Sequence, residues 1–174
     1  MEGDRGRSTH FVSLRLRNFI IGSVQLMLGV CLLSFHVLNL IKIIEKRDLF
    51  DNLSTFLPDD EKSSHQTYHI ASSVLASIMI VFTFILFWGI FDYKDNLVWG
   101  WILANSMLCI IYIILGLYGV ILHYWFVLEN FTVTGCIISF IYGVFPYYKW
   151  LCRRNLESSR INNAKETTSK KVPK

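Results

Sequence analysis

Residues 18–41 read NFIIGSVQLMLGVCLLSFHVLNLI, a run of 24 without one Asp, Glu, Lys or Arg. A helix rises about 1.5 Å per residue and the hydrocarbon core of a bilayer is about 30 Å thick, so roughly 20 apolar residues cross it. The run therefore predicts a transmembrane helix. Its less greasy members are not scattered: Gln25, Gly29, Leu32, His36 and Asn39 recur every three or four positions, the spacing of one helix face. Unpaired polar groups are costly in hydrocarbon, so Gln25, His36 and Asn39 form an intramembrane polar stripe expected to face sister helices, while Ile, Leu and Val face acyl chains. On that ground the first span is expected to be the one around which the others pack.

Three more uncharged runs follow, at 70–91, 97–122 and 131–148. The expected fold is an all-α membrane protein, an antiparallel four-transmembrane-helix bundle over residues 18–148. A segment 1–17 precedes it and a basic, disordered tail 149–174 follows. Of the 174 residues 53% are hydrophobic and 17% charged, whereas soluble domains carry about a quarter charged. Four spans and their links occupy most of this length, which leaves no room for a separate soluble enzyme domain. After Ile41 the chain runs through Lys42 to Arg47 with no small-residue cleavage motif, so the first span is read as retained.

Charge placement sets the expected orientation. Arg5, Arg7, Arg15 and Arg17 lie before the first span, and Lys149, Arg153, Arg154, Arg160, Lys165, Lys170, Lys171 and Lys174 lie after the last. The connection 45–69 carries six acids against three bases, a net of −3. The positive-inside rule then puts both termini in the cytosol and the acidic outer loop outside or in a lumen. The eight basic residues of the tail are expected to attract anionic inner-leaflet lipids. Cys31, Cys109 and Cys136 fall within spans and Cys152 follows the last, an arrangement that excludes a disulfide-stapled ectodomain.

Local motifs refine this picture. Asn52-Leu53-Ser54 is an acceptor sequon for N-glycosylation if its side is luminal. A second, Asn130-Phe131-Thr132, lies too near the membrane for modification. His65 and His69, placed in the outer loop, are expected to titrate there. Ser72 and Ala76 make a small-xxx-small pair in the second span, and Gly135, Ser139 and Gly143 repeat that step twice in the fourth. Helices in lipid associate through close packing and interhelical hydrogen bonds, so this second groove is the expected helix–helix contact, used within the bundle in the favoured reading and between molecules in the alternative. Pro146 should weaken the last turn before the cytosol. Cys152, beside Trp150 and Arg153, is a candidate S-palmitoylation site.

The four predicted spans contain no ionisable carboxylate or base other than His36, whereas carriers, pumps and intramembrane hydrolases generally need such groups at membrane depth. The chain has no CxxC pair, HExxH, glycine-rich phosphate loop or nucleic-acid module, so no catalytic residue, metal ligand or cofactor is assigned and no nucleic-acid partner is expected. The claudin and tetraspanin loop patterns are also missing. A basic pair ahead of the first span (Arg15, Arg17), Gly89-Ile90-Phe91 ahead of a Trp-led third span (Trp99, Trp101), and the exit Tyr142-Gly143-Val144-Phe145-Pro146-Tyr147-Tyr148-Lys149 together cover most of residues 15–152. In these features the chain resembles insect four-span proteins related to the lysosome-associated transmembrane family, which include the Pasiflora septate-junction proteins. That resemblance implies a non-enzymatic membrane component acting in septate-junction assembly at the plasma membrane, or in sorting at endosomes and lysosomes, with other membrane proteins or copies of itself as partners. The tail lacks the Pro-Pro-x-Tyr sequence with which lysosomal members recruit ubiquitin ligases. The residues alone leave one alternative, a small channel or transporter subunit lined by Gln25, His36 and Asn39.

Overall fold

The computed structural model describes the backbone of residues 2–50, 59–122 and 124–169, and the side chains of residues 13–45, 64–120 and 125–163. Four helices make up nearly all of it: α1 (Glu2–Phe50), α2 (Asp59–Phe91), α3 (Asp95–Leu122) and α4 (Tyr124–Ser169). In hydrocarbon each backbone N–H and C=O must be satisfied within the segment, so a long apolar run has the helix as its open choice. Each helix contains a stretch long and apolar enough to cross a bilayer: Ser13–Glu45, Ser64–Phe91, Asp95–Val120 and Trp125–Asn163. The chain is thus an integral, multi-pass membrane protein with an all-helical bundle.

The helices outrun the apolar runs that predicted them. The connection expected at 45–69 is helical up to Phe50 and again from Asp59. The tail expected to be disordered continues α4 to Ser169. Once a helix is nucleated, each further residue adds one backbone bond, and residues 147–169 hold neither Gly nor Pro to stop it. Pro146 lies inside α4 without ending it. The sequon at Asn52 lies outside the described residues.

Each helix touches its sequence neighbours and α1 also touches α4, which closes a ring with α1 and α3 on one diagonal. Two apolar clusters fill it. Leu86, Ile90, Trp101, Val144, Tyr147 and Leu151 anchor the first, and Met79, Leu108, Tyr112, Val133 and Ile137 the second. Both are built from α2, α3 and α4. The expectation that the first span is the hub is therefore corrected: only 11% of its apolar window is buried, against 39% for α2 and α3. Leu14, Ile21, Leu28 and Leu32 pack against the clusters, while Ile20, Val24, Val30, Val37, Leu38 and Ile41 face outward, and that leaves α1 at the rim.

Glycine sets how closely α1 can approach α2. A Cβ on Gly22 would stand 2.6 Å from Phe87 Cε1, and one on Gly29 2.8 Å from Ile80 Cγ1, separations that real Cβ atoms do not adopt. The small-residue groove of α4 behaves otherwise. Gly143 packs on Ile21, but Gly135 has nothing within 4 Å and Ser139 is exposed, its hydroxyl donating to the Gly135 carbonyl at 2.9 Å. Use of the groove within the bundle is thus limited to one of its three positions. Four residues turn a helix by about 400°, so each step drifts about 40° and the ends of the stripe point about 80° apart.

Asp92-Tyr93-Lys94 turns the chain from α2 to α3, with Tyr93 at φ 56°. For a residue bearing Cβ this left-handed conformation costs roughly 1–2 kcal/mol. Trp88 Nε1 donates to Asp92 at 2.6 Å and Lys94 lies 3.3 Å from the same carboxylate. The indole first, then the ammonium, holds the Asp92 carboxyl below the usual carboxylate range.

Candidate functional site

The most concentrated chemistry lies where α1, α2 and α4 meet at the end remote from the Asp92-Tyr93-Lys94 turn. His36 projects from the inward stripe of α1 and is 2% exposed. Its Nε2 stands 2.8 Å from Glu129 Oε1 on α4, and its Nδ1 stands 3.0 Å from His69 Nδ1 on α2. Glu129, His36 and His69 thus form a linear chain. With Glu129 ionised and both rings neutral, one proton arrangement satisfies both contacts. His36 Nε2–H donates to the carboxylate, and its bare Nδ1 accepts from His69 Nδ1–H. His69 Nε2 is then an open acceptor, and His69, Asn39, Lys42 and Ile43 line a shallow cleft of about 220 Å³.

Aromatic and amide groups brace this chain. Asn130 Nδ2 donates to the Tyr68 hydroxyl at 2.6 Å and to the Phe126 carbonyl at 2.5 Å. The Phe126 ring lies 4.1 Å from that of Tyr68, between centroids, and Tyr68 is 6.0 Å from His36. Asn130, 2% exposed, is unavailable to glycosylation while so bonded. Among the described residues no group of three or more His, Cys, Asp or Glu is arranged to hold a metal.

A second polar tier lies deeper. Gln25 Nε2 donates to Asn105 Oδ1 at 2.7 Å across the diagonal between α1 and α3, and Asn105 Nδ2 donates to the Trp101 carbonyl at 2.9 Å. Both amides are fully buried. A third tier surrounds the α2–α3 turn, where Arg15 Nη1 donates to the Tyr93 hydroxyl at 2.8 Å and the Arg154 guanidinium carbon lies 4.5 Å from the Tyr93 ring centre.

The predicted site residues separate accordingly. Gln25 and His36 each join an interhelical polar contact, while Asn39 is half-buried in the cleft wall. Ser72 and Ala76 are buried on α2. Cys152 is half-buried, with Sγ 3.8 Å from the Asp95 carboxylate, so acylation requires its thiol to swing outward. His69 is not an exposed loop residue: it is 6% exposed within a helix. Glu129, read as part of a link, is a member of α4 and the partner of His36. Two spacings carried the missing signal. Tyr68, Ser72 and Ala76 continue one face of α2 upward, and Phe126, Asn130 and Thr134 do the same on α4.

Comparison with protein-family models, with curated proteins and with solved structures finds no match to this chain.

Proposed function

We propose that this chain is a non-enzymatic membrane scaffold or accessory protein, built as an antiparallel bundle with both termini cytosolic. It would act in assembly or sorting of membrane proteins, at a cell junction of the septate type or in endosomal–lysosomal traffic, as the resemblance implies. The observation that carries this reading is the use made of the buried polar side chains. Gln25 bonds to Asn105, His36 to His69 and Glu129, and Tyr68 to Asn130, so each holds one helix to another. Outward faces remain for partners, and the Gly135/Ser139 face of α4 admits close approach of a partner helix, from another membrane protein or a second copy. The arrangement supports the antiparallel reading through contacts pairing opposite chain ends, as Arg15 with Tyr93 and His36 with His69. The basic ends then lie toward anionic inner-leaflet lipids. Gly135→Leu with Ser139→Leu is expected to abolish co-purification of partners or copies while leaving the monomer folded. Unchanged association with a folded double variant would refute the reading.

One observation favours a second reading, a channel or transporter subunit: the Glu129–His36–His69 chain opens on the cleft beside Lys42. Purified protein in liposomes would then carry proton flux that His36→Ala removes. Silent liposomes would count against it.

A further inference from the structure

The turn between α2 and α3 holds two arginines in an unusual way. Arg15 of α1 and Arg154 of α4 both lie against Tyr93, at 5.0 and 4.5 Å from the ring centre. Neither has a carboxylate within 4.0 Å among the described residues, where the carboxylates that meet a basic side chain are Glu129, at His36, and Asp92, at Lys94. The nearby acids are occupied: Asp92 accepts from Trp88 and Lys94, and Asp95 accepts from Asn155 at 3.0 Å. A contact through a π face uses the charge of a guanidinium but none of its N–H donors. Arg15 commits one donor, to the Tyr93 hydroxyl; the forked edges of both side chains are otherwise open. Tyr93 stands where α2 stops: its φ of 56° belongs to a helix-ending turn in which Asp92 N–H donates to the Trp88 carbonyl at 2.9 Å and Lys94 N–H to the Gly89 carbonyl at 3.1 Å, so the backbone beneath the ring that both guanidinium groups meet is held in place.

We propose that Arg15 and Arg154, both set against Tyr93, form a binding site for a phosphomonoester group carried on the headgroup of an anionic lipid. A phosphomonoester offers three terminal oxygens and close to two negative charges, so both guanidinium forks can engage it bidentately. A phosphodiester headgroup offers two oxygens and one charge, and engages one fork well. Selectivity for the monoester over a diester at equal surface charge is therefore the signature of this site, distinct from the general attraction of basic ends to anionic leaflets. The inference deepens the lipid contact proposed above, yet it does not depend on which compartment the turn faces.

The test uses the full-length protein in nanodiscs, which expose both leaflets. Binding is measured for discs containing phosphatidylinositol 4-phosphate and for discs containing phosphatidylglycerol at matched net charge, with native mass spectrometry counting retained lipids. Preference for the monoester lipid of about tenfold is expected, with Arg15→Gln or Arg154→Gln each removing about that factor and Arg153→Gln leaving it in place. Free inositol 1,4-bisphosphate distinguishes the sources. Competition at equal concentration would assign the site to a soluble phosphate compound and overturn the lipid assignment, whereas weak competition supports a membrane-borne ligand. Equal retention of the two lipids by the wild-type protein overturns the proposal while leaving the general attraction intact. That arm needs no variant, so misfolding of the glutamine variants cannot obscure it.

Discussion

Replacing His36 by Leu tests whether the Glu129–His36–His69 chain holds α1 in place. His36 is 2% exposed and Glu129 22%, so removal of the imidazole leaves a carboxylate mostly shielded from water without its donor. Leaving a buried group without its hydrogen-bond partner costs about 1–3 kcal/mol, and the charge on Glu129 places this case near 3 kcal/mol. Glu129→Gln is gentler. The amide still accepts from His36 Nε2–H, and exchanging a charge-assisted for a neutral bond costs about 1 kcal/mol. The double variant His36→Leu/Glu129→Leu removes the orphaned carboxylate and should recover about 2 kcal/mol relative to His36→Leu alone. Recovery is incomplete because His69 Nδ1 keeps no partner in either background, at about 1 kcal/mol. Reversible unfolding in bicelles, followed by steric trapping, reads these differences directly. If the double variant is no more stable than His36→Leu, the 2.8 Å contact between His36 and Glu129 holds nothing, and the reasoning fails.

Other perturbations address other tiers. A double-mutant cycle on Gln25→Leu and Asn105→Leu should return a coupling of about 0.6 kcal/mol, and no more than about 1.7, the range for interhelical hydrogen bonds in membranes. Gly22→Leu should lower bundle stability by about 1–3 kcal/mol by driving Cβ into Phe87, whereas Gly135→Leu should leave it unchanged in the same unfolding assay. Acid titration probes the Asp92-Tyr93-Lys94 turn. Because Trp88 and Lys94 lower the Asp92 pKa in the folded state, its contribution is present above the ordinary carboxylate range and is lost as pH falls through the depressed folded value. Trp88 fluorescence should follow that loss, and Asp92→Asn should flatten it.

The four spans were legible because an uncharged run of sufficient length is a property of adjacent residues. So was the inward stripe, since a three-to-four spacing survives any tertiary arrangement. Helix ends were not: once charged residues appear, composition suggests a loop, yet α4 runs on through Lys149, Arg153 and Arg154 because nothing in that stretch breaks a helix. The misplaced ends hid the site, for they assigned His69 and Glu129 to connections outside the spans. Partners across the bundle are a further step removed. His36 and His69 lie 33 positions apart, and Gln25 and Asn105 lie 80 apart; no local pattern pairs them. Use of the whole α4 groove within the bundle is prevented by geometry, its four-residue repeat drifting around the helix until one end faces Ile21 and the other faces outward.

What α1 buries explains how an outlying helix stays attached. Among its described residues the buried positions are Asn18, Gly22, Gln25, Gly29 and His36, polar side chains alternating with glycine. Within water such a face would be a weak seam, because its groups bond to solvent equally well before docking. Within hydrocarbon there is no hydrophobic force between helices, and close backbone approach with satisfied hydrogen bonds is what holds them together. The glycines bring α1 against Phe87 and Ile80 of α2, and that proximity lets Gln25 reach Asn105 on the far diagonal. Shape and polarity therefore act in series: widening the seam at Gly22 should stretch the Gln25–Asn105 contact as well. For this reason the effects of Gly22→Leu and Gln25→Leu should combine to less than their sum, although what a Cβ at Gly22 meets first is Phe87.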